Sequence, residues 1–379
     1  MDLSLTETQV MLKQSVEDFI SRDANKDIIL DLQRTLPGYS SKIWQTAAET
    51  GWLGIIIPEA YGGIGMEFFD AAVVYEALGS GAVPGPMFSS GVLSALVLLE
   101  CATEEQKQAW LPSIAEGRVV CTVATSEPDY SWGNAGIRMR PNEDGNDYVL
   151  NGVKLFVYDA DVADQVIVAV RTGDLPDDIS LVMVDTATPG VSRRRLSGFT
   201  STECELKFEN VRVAKSNLIG RFGAIAPGLA SAFTKATPIL CAYQVGGMQT
   251  VFEMSVEHSR RRVQFGQAIG RFQFVQNHII QLVNHLDAAR WTTYEALWKL
   301  DSGRDAEVSV HLAKAVTSEG YRKACDYAHE VHAGVGVMRE FGLTLYTRLS
   351  RSLYHALGDP RYHRRRIADL IETIDLDAE

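Results

Sequence analysis

The amino-acid sequence predicts an α+β fold of several domains, with helices at both ends of the chain and β-strands in the middle. Apolar residues recur at helical spacing before residue 118 and after residue 228, and short β-branched segments separated by turn residues fill the region between. A chain of 379 residues is also too long for one simple core. We therefore predict an N-terminal helical domain over residues 1–118, a central antiparallel β-barrel or sandwich over 119–227, and a C-terminal four-helix bundle over 228–379.

The N-terminal part begins with a clear helix signal. Thr6 is the expected N-cap, and Gln9 completes a capping box with it. A second helical run around Trp44 ends near Gly51, and Pro58 marks the loop that follows. Helical spacing resumes in FFDAAVVYEALG and returns in segments up to about residue 114, so this part is predicted to be helical throughout.

The character of the sequence changes near Arg118. The segment VVCTVAT predicts a short strand, and YVLNGVKLFV forms two alternating runs around Asn151-Gly152, a pair typical of a two-residue β-hairpin turn. Further strands are predicted for VADQVIVAV, ISLVMVD and CELKFENVRV. Short strands separated by turn residues indicate a sandwich or a barrel.

Helical spacing returns from about Gly228. Residues 279–289 carry a broad apolar stripe, which is typical of a packed bundle helix. Residues 306–329 predict another such helix, on which we expect Lys314 and Arg322 to be solvated.

Composition restricts the classes of function. A net charge of −12 and a pI near 5.2 argue against nucleic acid as a main partner. No apolar run approaches the length of a membrane span, and the polar, acidic N-terminus has no signal-peptide or transit-peptide character. The five cysteines are scattered and form no CxxC pair, so neither a disulfide framework nor a metal site is predicted. We expect a cytoplasmic protein.

Four local segments resemble the acyl-CoA dehydrogenase family. They are PEAYGGIG with Glu76 downstream, TSEPD at residues 125–129, RVQFGQAIGRFQFVQ at residues 262–276, and HAGVGVMREFGLTLYTRLSR. The third segment is the most specific, since it is similar to the flavin-contacting signature of that family. The four segments are spaced as the family spaces them and cover nearly the whole chain.

The resemblance implies a tetramer in which FAD lies between the β domain and the C-terminal bundle, with a neighbouring subunit covering the dinucleotide end. It also implies α,β-dehydrogenation of an acyl-CoA thioester. A carboxylate removes the α-proton while hydride leaves the β-carbon for the flavin. Such enzymes usually pass electrons to an electron-transfer flavoprotein.

The resemblance assigns the cofactor contacts to two groups of residues. In the central domain they are Thr125, Ser126, Phe156 and Tyr158, and in the C-terminal domain they are Arg262, Phe265, Gln273, Glu330 and Gly334. A planar guanidinium at Arg262 suits a pyrophosphate, and Gly334 and Gly336 have no Cβ to keep backbone from the phosphates.

The positions that carry the family's catalytic carboxylate differ in this chain. The usual glutamate aligns with Leu357, and the alternative position aligns with Ala236, so neither can accept a proton. The N–H of Leu357 would still offer a donor to a thioester oxygen. The residues that help to hold the acyl-CoA align with Thr234 and Thr237, which are the expected substrate contacts.

Two further positions near the cofactor also depart from the family. Tyr158 replaces a threonine beside the flavin, where its bulk would obstruct the flavin face. Glu330 replaces a glutamine, and its carboxylate would weaken pyrophosphate binding unless Arg262 or a proton compensates.

These departures leave three hypotheses. The chain is one subunit of a hetero-oligomer whose sister subunit supplies the glutamate, as occurs in the family for bulky substrates such as steroid side-chain CoA esters. Alternatively, it is a self-sufficient flavoenzyme with non-standard chemistry on a thioester or a related substrate, for which Tyr158, His355 and Asp359 are candidate acid–base groups. The third hypothesis is a structural subunit that binds no flavin.

Overall fold

The computed structural model describes residues 4–35, 38–129, 131–200 and 202–371. These residues form two compact units. One unit contains the described residues of Met1–Arg34, Glu67–Val83 and Thr237–Glu379, and the other contains those of Thr35–Met66 and Pro84–Ala236. The domain boundaries at residues 118 and 227 stay predictions.

Helices occupy both ends of the described chain, as the sequence predicts. The first group is α1 (Glu7–Asp23), α2 (Lys26–Thr35), α3 (Ser41–Glu49), α4 (Phe68–Ser80), α5 (Ala95–Cys101) and α6 (Glu104–Ala115). The second group is α7 (Ala226–Arg261), α8 (Gln273–Asp301), α9 (Glu307–His332), α10 (Leu343–Leu353) and α11 (Pro360–Ile371). The capping box is confirmed, because Thr6 Oγ1 accepts the Gln9 N–H and Gln9 Oε1 accepts the Thr6 N–H. A π-helical turn at Met87–Ser94, which leads into α5, was not predicted.

Along the sequence, the strands follow the first group of helices and precede the second, apart from one small hairpin. They are β1 (Cys121–Ala124), β2 (Asn142–Asp144), β3 (Asp147–Tyr158), β4 (Gln165–Arg171), β5 (Ile179–Asp185), β6 (Val191–Arg195), β7 (Glu203–Ala214) and β8 (Leu218–Ile219), with the hairpin β9 (Val263–Gln264) and β10 (Gln267–Ala268). One sheet has the order β1-β4-β5-β8 and the other β2-β3-β7-β6. All neighbouring strands are antiparallel except β1 and β4. The sheets share one core, in which Val168 and Val182 meet Leu206 and Phe208, so a sandwich describes this part.

The hairpin predicted at Asn151-Gly152 is wrong. Both residues lie inside the single strand β3, whose pairing with β7 shifts register between Leu150 and Gly152. A Cβ at Gly152 would lie 2.7 Å from Met139 Cε, so glycine makes room at a β-bulge there. The real turn is Gly145-Asn146, which joins β2 to β3.

In the unit that contains Thr237–Glu379, called the helical unit below, α8 and α9 pack along each other, and α10 and α11 pack on α9. Cys241 of α7, Ala296 of α8 and Val310 of α9 share a core cluster. The prediction that Lys314 is solvated is wrong, since its side chain is fully buried on α9. Its Nζ donates to Ser318 Oγ at 2.6 Å and to the Leu353 carbonyl at 2.9 Å, and these two acceptors make burial possible.

All five cysteines are free thiols, and four of them are buried. Within the described ranges, no helix is long and apolar enough to cross a membrane.

Candidate functional site

The turn after β1 carries two of the predicted cofactor residues. Thr125 and Ser126 are both half-buried. The Ser126 carbonyl accepts the Leu155 N–H at 2.9 Å, which ties the turn to β3. Among the described residues, none forms a hydrogen bond with the Ser126 hydroxyl, so that group is available to a ligand.

A buried ion pair supports this turn, and the sequence interpretation missed it. Lys154 is fully buried, and its Nζ donates to Glu127 Oε1 at 2.7 Å and to the Thr125 carbonyl at 3.4 Å. Burial lowers the pKa of Lys154 to about 8, against the opposing effect of Glu127. The alternation of β3 gave a usable signal, because it places Lys154 on the same inward face as Tyr148 and Leu150.

The end of β3 is irregular where Phe156 and Tyr158 were predicted to contact the flavin. Its register with β7 shifts again between Lys154 and Val157, and Phe156 adopts a φ of +55°. Phe156 is 43% exposed, whereas Tyr158 is half-buried. Burial, followed by the nearby Glu203 carboxylate, raises the pKa of Tyr158 well above its usual range. The Tyr158 phenol is therefore protonated at neutral pH and is a poor general base.

A buried carboxyl group follows this segment directly and was also missed. Asp159 Oδ2 accepts a hydrogen bond from Ser89 Oγ at 2.6 Å, and both side chains are buried. Burial raises the pKa of Asp159 to about 7, although the bond from Ser89 opposes that shift. Ser89 lies in the π-helical turn at Met87–Ser94, and such turns are frequent at functional sites.

The β9–β10 hairpin presents the predicted FAD-binding side chains to solvent. Its two-residue turn is Phe265-Gly266, with φ values of +52° and +79°. Phe265 is 92% exposed, and Gln273 at the start of α8 is exposed as well. Arg262 is exposed and forms no ion pair with any described residue, so its guanidinium is free to bind an anion.

The glycine junction after α9 lies beside the base of this hairpin. The rings of His258 on α7 and His332 on α9 stack with centroids 4.6 Å apart. Glu330 and Gly334 are exposed, and a Cβ on Gly334 would meet no described atom within 4 Å. Gly336 differs, because a Cβ there would lie 2.9 Å from His332 Cβ, so its own chain requires glycine. The predicted phosphate approach therefore suits Gly334 better than Gly336.

Leu357 lies in the turn between α10 and α11. It is half-buried and adopts a left-handed conformation with a φ of +58°. Its carbonyl oxygen is 3.1 Å from His363 Nε2. Of the two candidate acid–base groups in this turn, His355 is exposed and Asp359 accepts the Tyr362 N–H at 2.7 Å, which makes Asp359 the cap of α11.

The second position of the family's base lies on α7. Ala236 is fully buried there, so no polar group replaces the missing carboxylate. Of the two predicted substrate contacts, Thr234 is half-buried and Thr237 is 3% exposed. The low exposure of Thr237 makes it the weaker candidate for direct contact with a substrate.

Comparison with known proteins agrees with the resemblance seen in the sequence. Models of the N-terminal, middle and C-terminal domains of acyl-CoA dehydrogenase match residues 6–118, 122–211 and 229–371. The chain belongs to the acyl-CoA dehydrogenase family. It is 29% identical to the probable acyl-CoA dehydrogenase YngJ of Bacillus subtilis, over 97% of this chain and 99% of that protein.

Solved structures show the same fold. PigA with FAD and proline matches with a TM-score of 0.89 and 26% identity, over 98% of this chain and 99% of that one. The ChsE4–ChsE5 complex of Mycobacterium tuberculosis matches with a TM-score of 0.89 and 24% identity, over 99% and 100%. The predicted fold class, the FAD cofactor and the oxidoreductase class of this acyl-CoA dehydrogenase family member are confirmed.

Within each unit, taken by itself, the candidate side chains have chemistry that suits FAD. The free Arg262 guanidinium and the uncrowded Gly334 backbone match a pyrophosphate, and exposed Phe265 offers an apolar surface to the dinucleotide. The Ser126 hydroxyl offers a hydrogen bond to a flavin ring. When bound, FAD supplies the hydride acceptor. The individual contacts remain predictions.

Proposed function

We propose that this chain is one subunit of a hetero-oligomeric acyl-CoA dehydrogenase whose sister subunit supplies the catalytic glutamate. The observation that carries the proposal is an aliphatic side chain, Leu357, at the position of the family's base. Ala236 at the alternative position is fully buried and equally unable to accept a proton. The sister's carboxylate would take the α-proton of the acyl-CoA while hydride passes from the β-carbon to FAD.

Candidate replacements for the base within this chain have other roles. Asp359 Oδ1 is committed to the Tyr362 N–H at the start of α11, and burial raises the pKa of Tyr158, which makes its phenol a poor base at neutral pH. His355 is exposed and so lacks the buried surroundings that tune a catalytic group. These assignments favour a hetero-oligomer over a self-sufficient enzyme with non-standard chemistry. Membership of an FAD-dependent family disfavours a subunit without flavin.

The cofactor-binding side chains suit a role across a subunit boundary. Phe265 and Phe274 are 92% and 82% exposed, and the adjacent Val337 and Met338 are 68% and 54% exposed, so two short segments each expose a pair of large apolar side chains. A second subunit and its FAD would cover them. We propose that Arg262, Phe265 and Gln273 complete the FAD site of the sister subunit, with assembly as a tetramer.

Co-expression with a second acyl-CoA dehydrogenase-family chain encoded beside it tests the proposal. We expect the pair to purify together, to hold about one FAD for every two chains, and to reduce an electron-transfer flavoprotein with an acyl-CoA. Glutamine at the sister's catalytic glutamate should lower kcat by about 10²–10⁴-fold. The matched variant here, Leu357→Gln, should leave kcat within about two-fold, since a leucine takes no proton. Full FAD occupancy and dehydrogenation by this chain alone would contradict the proposal.

A further inference from the structure

The turn between α10 and α11 keeps a backbone donor although it has lost the base. No described residue accepts a hydrogen bond from the Leu357 N–H. A left-handed conformation for leucine costs about 1–2 kcal/mol, so the surrounding contacts must hold it in place. An N–H held in this way is suited to an anionic or carbonyl oxygen.

A pair of buried histidines lies at the carbonyl group of Leu357. His363 of α11 is 2% exposed and His311 of α9 is 8% exposed. The two Nδ1 atoms are 2.8 Å apart, and His363 Nε2 is 3.1 Å from the Leu357 carbonyl oxygen. This chain of contacts runs from the core of the helical unit to the backbone of the turn.

The chemistry of the groups fixes the direction of each hydrogen bond. A carbonyl oxygen can only accept, so His363 Nε2 carries the proton and donates to Leu357. In neutral His363, Nδ1 is then an acceptor, and His311 Nδ1 must donate to it. While His311 donates from Nδ1, protonation of His363 at Nδ1 would set two donors against each other, so this arrangement requires neutral His363. Consistent with this, burial lowers the pKa of His363 to about 3.

Two more contacts hold the same turn. Buried Lys314 donates to the Leu353 carbonyl at 2.9 Å, where α10 ends. Gly358 has a φ of +111°, and a Cβ there would lie 2.7 Å from His363 Nε2. Glycine at 358 therefore allows the imidazole to approach the Leu357 carbonyl closely.

We propose that His311 and His363 are positioning residues that keep the Leu357 N–H directed at a thioester carbonyl. On this view the chain binds an acyl thioester of its own although it cannot deprotonate it. This inference rests on the proposed function, because it assigns turnover to the sister subunit and binding without turnover to this chain. The assembled pair would then hold one thioester at each of two sites.

Two ligands of the same chain length separate the contribution of the thioester carbonyl to binding from that of the rest of the molecule. Octanoyl-CoA has the thioester carbonyl, and S-octyl-CoA, a thioether of the same chain length, lacks it. Binding to the purified hetero-oligomer is measured by calorimetry, with the sister's catalytic glutamate replaced by glutamine so that nothing turns over. We expect two octanoyl-CoA molecules for each pair of unlike chains.

Two sets of matched variants test the histidines. His363→Leu removes the donor to Leu357, whereas His363→Gln places an amide N–H near the position of Nε2. His363→Leu should weaken octanoyl-CoA binding at this chain's site by about 10-fold, the loss of one net hydrogen bond, while S-octyl-CoA affinity changes less than about two-fold. His363→Gln should restore most of the thioester affinity. His311→Leu and His311→Asn form the second set, because the asparagine amide can replace the Nδ1–H donor. This second set tests the positioning role if His363→Leu does not fold.

The outcomes separate this inference from the proposed function. One octanoyl-CoA for each pair of chains, or an equal loss of both ligands in His363→Leu, would overturn the positioning role and leave the hetero-oligomer intact. A wild-type pair without dehydrogenase activity would contradict the proposed function itself. Rescue by His363→Gln with the thioester alone is the result that a merely structural histidine would not give.

Discussion

Replacing Lys154 by methionine tests whether a buried ion pair holds the Thr125–Ser126 turn in place. The ammonium group is fully buried, and it donates to Glu127 Oε1 and to the Thr125 carbonyl. The same Glu127 oxygen also accepts the N–H groups of Arg138 and Met139, each at 3.0 Å. Methionine keeps much of the apolar stem but removes the charge and both hydrogen bonds.

The expected cost follows from the burial of both partners. Removing one member of a buried ion pair typically costs about 3–5 kcal/mol, because the other charge is left without a counter-ion. Lys154→Met should therefore destabilise the protein by about that amount. Adding Glu127→Gln removes the stranded charge and keeps an amide oxygen for the two backbone donors. The double variant should be more stable than Lys154→Met by about 2 kcal/mol.

Urea unfolding of Lys154→Met, Glu127→Gln and the double variant measures these costs. We expect Lys154→Met to lower the stability, since Glu127 loses its counter-ion and the Thr125 carbonyl loses its donor. The double variant should regain part of that stability. A cost below about 1 kcal/mol for Lys154→Met, or strict additivity of the two changes, would refute the reasoning.

Three further predictions concern pH and backbone contact. Burial gives Asp159 a raised pKa of about 7, so its contribution to stability is complete below pH 3.8 and is lost as pH rises through about 7. Asp159→Asn should flatten that slope in urea titrations. His311 and His363 have pKa values lowered to about 4 and about 3, mainly by burial, so stability falls as pH drops below 6.5, by up to about 1.4 kcal/mol per pH unit for each histidine. Replacing both with asparagine should reduce the slope, and an unchanged slope would contradict the assignment. Gly79→Ala should destabilise the fold by more than about 2 kcal/mol in thermal unfolding, because its Cβ would lie 1.9 Å from the Tyr243 carbonyl oxygen.

The groups around His311 and His363 determine how readily acid protonates the pair. Glu307 Oε1 lies 3.9 Å from His311 Nε2 and favours protonation, whereas Lys314 and Arg366 oppose it. Tyr362 packs edge-on against both imidazoles. Burial remains the largest cause of the shift for each histidine.

The fold was predictable where local pattern and burial agree. Helical spacing and the Thr6–Gln9 capping box identified the helices, and alternating β-branched residues identified the long strands. The error at Asn151-Gly152 has a physical reason. An Asn-Gly pair permits a tight turn, but Gly152 here avoids the Met139 side chain within a continuous strand. A local pattern cannot reveal a clash with a residue that is distant in sequence.

The segments of the candidate site could be proposed from the sequence, whereas the groups that support them could not. Motif resemblance singled out the turn at Ser126, the hairpin at Phe265 and the turn at Leu357, whose ligand contacts stay predictions. The supporting groups Lys154 and His363 were missed because each holds a carbonyl group from another element of its own unit. Lys314 shows the same limit, since a lysine on a helix is usually solvated and only its buried acceptors reveal the exception.

Backbone strain offers an independent argument for where this protein binds its ligands. Seven described residues other than glycine have a positive φ, and Phe156, Asp159, Phe265, Ala333 and Leu357 among them lie in the candidate segments. Each costs about 1 kcal/mol, and such strain gathers at functional sites. Phe265 gives the cleanest test, because at 92% exposure it contributes little to the core. Phe265→Gly should stabilise the isolated chain by up to about 1 kcal/mol and weaken FAD binding in the assembled pair. If stability fell, the left-handed turn would not be a source of strain.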